Sequence, residues 1–365
     1  MNTQTISKSS VQTEENKLTS KLADWIKRHQ VATFFILAYA ITWSGLFLVY
    51  FIFPGNQKVV GLSFPFVLFS PALSAMLISG IVEPYPKNTS SRPRWITFIL
   101  SWLIASTILI LYSWKIQKMD LGAAVIVIGC FWGLFPAWVL SSAYARTPGI
   151  RRQFSTLLKP RGSVLWYIAI FLIFPGIPLL SRWITRLLGG EAQTYLDNLG
   201  FEGAAIVLLL EFLRGFFMTG GINEESGWRG FALPRLQTRY SVIAASVIVG
   251  VLWALWHLPY DLAPENRGPS LTWFLEYRLF WRVVFAVILA WFYNRTNGSL
   301  LAPVLFHPAM NAFGNAFFGT AISKVLFIAL MIFAIVSDRM WMKLPSDHPA
   351  VYRAPVHDAA NLEQS

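Results

Sequence analysis

An all-α, polytopic transmembrane helix bundle of about ten spans is the architecture this sequence predicts. Apolar residues make up 55% of the 365-residue chain and charged residues 13%, where a soluble domain carries about 25% charged. The apolar residues come in long blocks, the pattern expected when lipid is the solvent. A mean hydropathy of +0.51 agrees. One cysteine, Cys130, excludes a disulfide framework and a cysteine-based zinc site. The net charge of +12 does not point to nucleic acid, because Lys and Arg fall between the blocks, where membrane orientation requires them. The expected partner is the lipid bilayer.

Residues 1–24 are polar, lack a hydrophobic face and read as a disordered tail. The first apolar block, 31–53, is too long for a signal-peptide core and has no small-residue cleavage pattern after it, so it is expected to be a retained span. Further spans are expected near 59–82, 95–114, 121–144, 163–181, 203–219, 241–257, 279–293, 299–318 and 322–337. Most reach the roughly 20 residues needed to cross hydrocarbon. The blocks 203–219 and 279–293 are short or carry charge, which requires shielding by neighbours. The stretch 338–365 is polar and contains proline, and reads as a second tail. The chain thus divides into a tail, N-terminal helices over 25–200 that carry no motif, a core over 201–337, and the C-terminal tail.

Loop charge sets the expected orientation. With the N-terminus inside, two early inner loops hold Lys87, Arg92, Arg94, Arg146, Arg151, Arg152, Lys159 and Arg161, eight basic residues. Three early outer loops hold five: Lys58, Lys115, Lys118, Arg182 and Arg186. The bias places both termini in the cytoplasm of a multi-pass protein of the cell membrane. The chain shows no internal repeat.

The second half carries polar groups that are costly at membrane depth. Ionisable side chains in a span cost about 2.5–3.5 kcal/mol each on insertion scales, so they default to paired or functional roles. Three groups stand out: Glu224, Glu225 and Arg229 in NEESGWR; His257 in WALWHLP; and His307 with Asn311 in HPAMN. Glu225 and Arg229 share a helix face at i,i+4 spacing, and Glu224 points about 100° away. His307 and Asn311 also share a face. A carboxylate near an imidazole in a partly dry pocket is a natural general base for water, and an imidazole with an amide can donate to a developing oxyanion. Taken singly, each group has a structural explanation. Glu225–Arg229 can simply hold its segment, His257 can be interfacial, and His307 with Asn311 can be interhelical glue. Pro308 can be a kink, Glu211 and Arg214 can neutralise each other, and Tyr260-Asp261 reads as loop.

In order and spacing, EExxxR at Glu224–Arg229, an aromatic-xxxH at Trp253–His257 and HxxxN at His307–Asn311 resemble the CAAX-protease and bacteriocin-processing family of intramembrane metalloproteases. The resemblance covers roughly 200–320, with WRGFALPRLQ and NGSLLAPVLFH as flanking text. Where the family's second motif usually begins with Phe, this chain has Trp253, which keeps an aromatic wall of different size. The resemblance implies an intramembrane endopeptidase with its active site in the C-terminal half. Glu224 would activate water with help from His257, His307 and Asn311 would stabilise the oxyanion, and Glu225, Arg229 and Trp253 would support them. The implied substrate is a peptide or protein at the membrane, a prenylated CAAX tail or a bacteriocin-like or membrane-anchored peptide. The family's name leaves room for a divalent metal such as zinc, and no ligand spacing here decides whether one takes part. There is no H-E-x-x-H and no G-x-S-x-G for other intramembrane protease chemistries. The rivals are a transporter using Glu224 and the histidines as a proton relay and a silent membrane scaffold. The peptidase reading requires the four reacting residues to converge on one cavity. That cavity is expected to open towards the cytoplasmic side, where Arg229, Arg235 and Arg239 place the 220–240 segment, with Glu225 turned away onto Arg229.

Overall fold

The computed structural model describes residues 19–84, 89–262, 270–317 and 320–354. Among them every regular element is helical. A helix over 19–28 (α1) leads into α2 (Gln30–Phe47), then α3 (Gln57–Val82), α4 (Arg92–Lys115), α5 (Ala123–Ser141), a short α6 (Pro148–Phe154), α7 (Val164–Leu187) and α8 (Gly200–Phe217). The core continues with α9 (Ile222–Gly227), α10 (Val242–Trp256), α11 (Leu258–Asp261), α12 (Phe280–Arg295), α13 (Leu301–Phe317) and α14 (Ala321–Ser337). Each of the ten expected blocks contains a helix, the shortest Val242–Trp256 with 15 residues and the longest Gln57–Val82 with 26. Six helical runs are long and apolar enough to cross a bilayer, and Val242–Trp256 and Ala321–Ser337 are shorter apolar helices.

Shielding explains the short members. At about 1.5 Å per residue, α10 is about 22 Å long, less than the roughly 30 Å of hydrocarbon. Its Val249, Gly250, Trp253 and Ala254 are buried, and α12 is buried throughout Val284–Asn294. The other charged block, α8, does not follow this rule. Phe201, Ile206 and Leu209 are exposed, and its charges are met locally by a Glu211–Arg214 ion pair at 2.7 Å and by the Tyr112 hydroxyl on Glu211 at 2.8 Å. α4 and α5 pack closely, since Gly129 presents bare backbone to α4: a Cβ there would stand 2.6 Å from Ile110.

Two expected tails are partly structured. Residues 19–24 belong to α1, while 1–18 lie outside the described residues. The stretch after α14 folds back on the bundle. Met340, Ala350 and Val351 are buried, Gln237 donates to the Ala350 carbonyl at 3.0 Å, and the Tyr352 amide donates to the Pro234 carbonyl at 3.0 Å. Prolines prevent regular helix there, but the spaced apolar residues still find a surface to cover. Burial holds the His348 imidazole below its usual pKa, against the raising effect of Asp347. The neutral ring accepts the Ala350 amide at 3.1 Å. Tyr260-Asp261 also departs from the loop expectation. It ends the one-turn α11, with Asp261 buried and paired to Arg278 at 2.5 Å.

One end of the bundle is rich in arginine. Arg152 pairs with Glu83, Arg235 donates to Gln30, and Arg295 pairs with Asp338. The N-terminal helix, the 145–163 connection, the turn after Leu236 and the C-terminal stretch all meet there.

Candidate active site

Glu224 and Glu225 sit on α9, a short helix that starts where α8 breaks at Met218–Gly221. The whole run Ile222–Arg229 is buried. Trp228 and Phe231 anchor it in one apolar cluster and Ile222 in another, so the acidic pair is clamped between two cores. A π turn over Trp228–Ala232 follows at once, the kind of helix irregularity common at functional sites. Gly220 makes the break possible. Its φ is +110°, and a Cβ there would lie 2.6 Å from His307 Nε2, so only glycine fits.

Glu224, His257, His307 and Asn311 line a single cavity of about 380 Å³. His257 comes from the C-terminal end of α10, and His307 and Asn311 come from one face of α13. Glu225, Arg229 and Trp253 stand behind this wall. Glu225 is turned onto Arg229 at 2.9 Å, with both side chains essentially fully buried.

Three features go beyond the sequence expectations. The Glu225 carboxylate also accepts from His307 Nδ1 at 2.7 Å, so one carboxylate joins α9, Arg229 and α13. Trp253 is more than a wall: its indole N–H donates to Glu224 Oε2 at 2.6 Å, and Trp228 donates to the same oxygen at 3.4 Å. A phenylalanine at 253 could fill the space but could not make that bond. The third is Arg282 on α12, which lines the cavity and lies 4.5 Å above the Trp253 ring. Its signal was available, as a charge inside an apolar block.

The histidine tautomers follow from their partners. His257 Nδ1 lies 3.0 Å from the Trp253 carbonyl. A carbonyl only accepts, so Nδ1 carries the proton and Nε2 keeps its lone pair. Asn311 donates one amide N–H to the Thr219 carbonyl at 2.9 Å, which fixes the side chain and leaves its second N–H.

The cavity opens at the opposite end of the bundle from the one expected. Arg239 precedes α10 and His257 follows it, so the helix separates them by about 22 Å. The cavity lining includes Tyr260 and Arg278, and a neighbouring apolar cavity shares Phe64, Leu68, Arg214 and Thr219 and reaches Gln117 and Met119. The expectation took the charge of the 220–240 segment as a guide to its whole length. Glu224, Glu225 and Arg229 lie at the far end of that segment from Arg235 and Arg239.

Among the described residues no three His, Cys, Asp or Glu side chains gather as a metal-binding group. Glu224 Oε2 is engaged by two indoles, and Glu225 by Arg229 and His307.

Fold and site together define a helical, polytopic membrane protein with a buried acid–histidine centre. Residues 205–313, which contain all three motifs, match the family described as Type II CAAX prenyl endopeptidase Rce1-like. The chain is also similar to a Methanococcus maripaludis protein named CAAX prenyl protease 2, with 28% identity over 151 residues. The match takes in 39% of this chain and 53% of that protein, so the chain spans about half the length of this curated relative.

Proposed function

We propose that the protein is an intramembrane endopeptidase that hydrolyses a peptide bond in a membrane-associated substrate, a prenylated CAAX tail being one candidate. The observation that carries this is the convergence of Glu224, His257, His307 and Asn311, from three separate helices, on one cavity. General base and oxyanion donors must reach the same carbon, and this arrangement permits it.

Glu224 takes a proton from water as it attacks the carbonyl, and the Trp253 and Trp228 indoles hold the carboxylate in place. His257 presents its Nε2 lone pair to the same water. Asn311 offers its second amide N–H to the oxyanion. His307 stands beside it, its ring orientation fixed by the Nδ1 bond to the Glu225 carboxylate. Proton return to the leaving amine completes the cycle. The donor set gives no support to a metal-bound water. Purified protein should therefore cleave members of a membrane-peptide library, prenylated CAAX peptides included, with the same rate before and after chelation. Cleavage abolished by chelator and restored by zinc would overturn this mechanism, and a complete lack of cleavage would overturn the activity.

Loop charge supports placing both termini in the cytoplasm of a cell-membrane protein. The arginine-rich end is then cytoplasmic and the cavity faces the other side. With Cys130 replaced by Ser, Lys118→Cys should react with an impermeant maleimide on intact cells and Lys159→Cys only after lysis. The reverse pattern would place the cavity on the cytoplasmic side.

A further inference from the structure

Among the described residues, every charged side chain around the cavity has a hydrogen-bond or ion-pair partner except that of Arg282. Arg214 is paired with Glu211, Arg278 with Asp261, and Arg229 with Glu225, while Glu224 is held by indole N–H groups. Arg282 has no hydrogen bond or ion pair among the described residues. Its Nε is buried without an acceptor, its guanidinium lies over the Trp253 ring, and its side chain lines the cavity beside Glu224, His257 and His307. Leaving a guanidinium unpaired in a partly dry site is costly, and insertion into the bilayer adds to that cost. Its planar fork of donors matches a carboxylate in two-point contact better than any other side chain does.

We propose that Arg282 is the anchor for a carboxylate of the substrate, the free C-terminal carboxylate of the peptide. This rests on the peptidase reading of the cavity. The chemistry of the site is the argument. An apolar membrane peptide offers few anions, and the one it carries whatever its sequence is its C-terminus. Trp253 links the two functions, since its N–H edge holds Glu224 and its face carries Arg282. Arg282 is thus a specificity residue, distinct from the groups that activate water.

Binding separates this proposal from the activity. The probes are an N-acetylated apolar tripeptide as free acid, its C-terminal amide, and an amide bearing an internal aspartate. Their affinities are measured by thermal shift on the purified wild type and on Arg282→Met and Arg282→Lys. The free acid should bind the wild type about tenfold or more tightly than the plain amide, the scale of one charge-assisted contact. Arg282→Met should erase that ratio, and Arg282→Lys should keep part of it, as a point charge without the fork. An aspartyl amide that binds as well as the acid would transfer the anchor's role to acidic side chains and overturn the C-terminal assignment. Equal binding of acid and amide to the wild type, or an unchanged ratio in Arg282→Met, would overturn the subsite. In turnover, Arg282→Met should raise KM for free-acid peptides alone. An equal fall in kcat for acid and amidated substrates would assign Arg282 to the reacting carbonyl instead. Selective binding of the acid with no cleavage of any peptide would leave the subsite standing and remove the peptidase reading.

Discussion

Glu224→Gln should fold as the wild type does and turn over about two to four orders of magnitude more slowly, the usual worth of a positioned general base. The change is nearly isosteric. The amide oxygen can still accept the Trp253 indole, whose bond to Glu224 Oε2 is 2.6 Å, so packing around Trp228, Trp253 and Trp256 has no reason to alter. What disappears is the ability to take a proton from water. Thermal unfolding in detergent beside initial rates checks both parts. A variant that loses its fold together with its activity would assign Glu224 to structure.

Arg229→Met should do the opposite and unfold the protein before it informs on chemistry. Glu225 is fully buried and depends on Arg229 at 2.9 and 3.1 Å. Removing one partner of a buried ion pair leaves an uncompensated charge and costs about 3–5 kcal/mol, a large share of the 5–15 kcal/mol that holds a typical fold. The double change Arg229→Met with Glu225→Leu should recover part of that stability, because neither charge remains to be desolvated. Activity should stay lost, since His307 Nδ1 then has no carboxylate. Melting temperature and rate, measured on the single and double variants, separate the two effects. A single variant as stable as the wild type would show that the pair does not hold the segment.

The legible and illegible parts of the structure divide along physical lines. The helical blocks could be read because lipid demands long apolar runs, and the long runs of α2, α3, α4, α5 and α7 need no partner to be recognised. The acid–histidine groups could be read because ionisable residues at that depth are expensive. Contacts between helices could not. Glu225 was assigned to Arg229 by i,i+4 spacing, which is correct, but the His307 bond crosses 82 residues and leaves no local trace. Trp253 read as an aromatic wall because only the fold shows that its N–H edge faces Glu224. Arg282 was visible as a charge in a block that needed shielding, and the buried run Val284–Asn294 supplies that shielding without supplying a counter-ion. The side on which the cavity opens failed for a geometric reason. Loop charge reports one end of a helix, and His257 lies at the other end of α10 from Arg239.

The central claim is that Glu224 delivers water to a peptide bond in the cavity it shares with His257, His307 and Asn311. Mass spectrometry of peptide products formed in heavy-oxygen water tests it most directly. The account predicts one heavy oxygen in the new C-terminal carboxylate, cleavage at a single bond, and loss of that product in folded Glu224→Gln. The same labelled product at the wild-type rate from Glu224→Gln would contradict it.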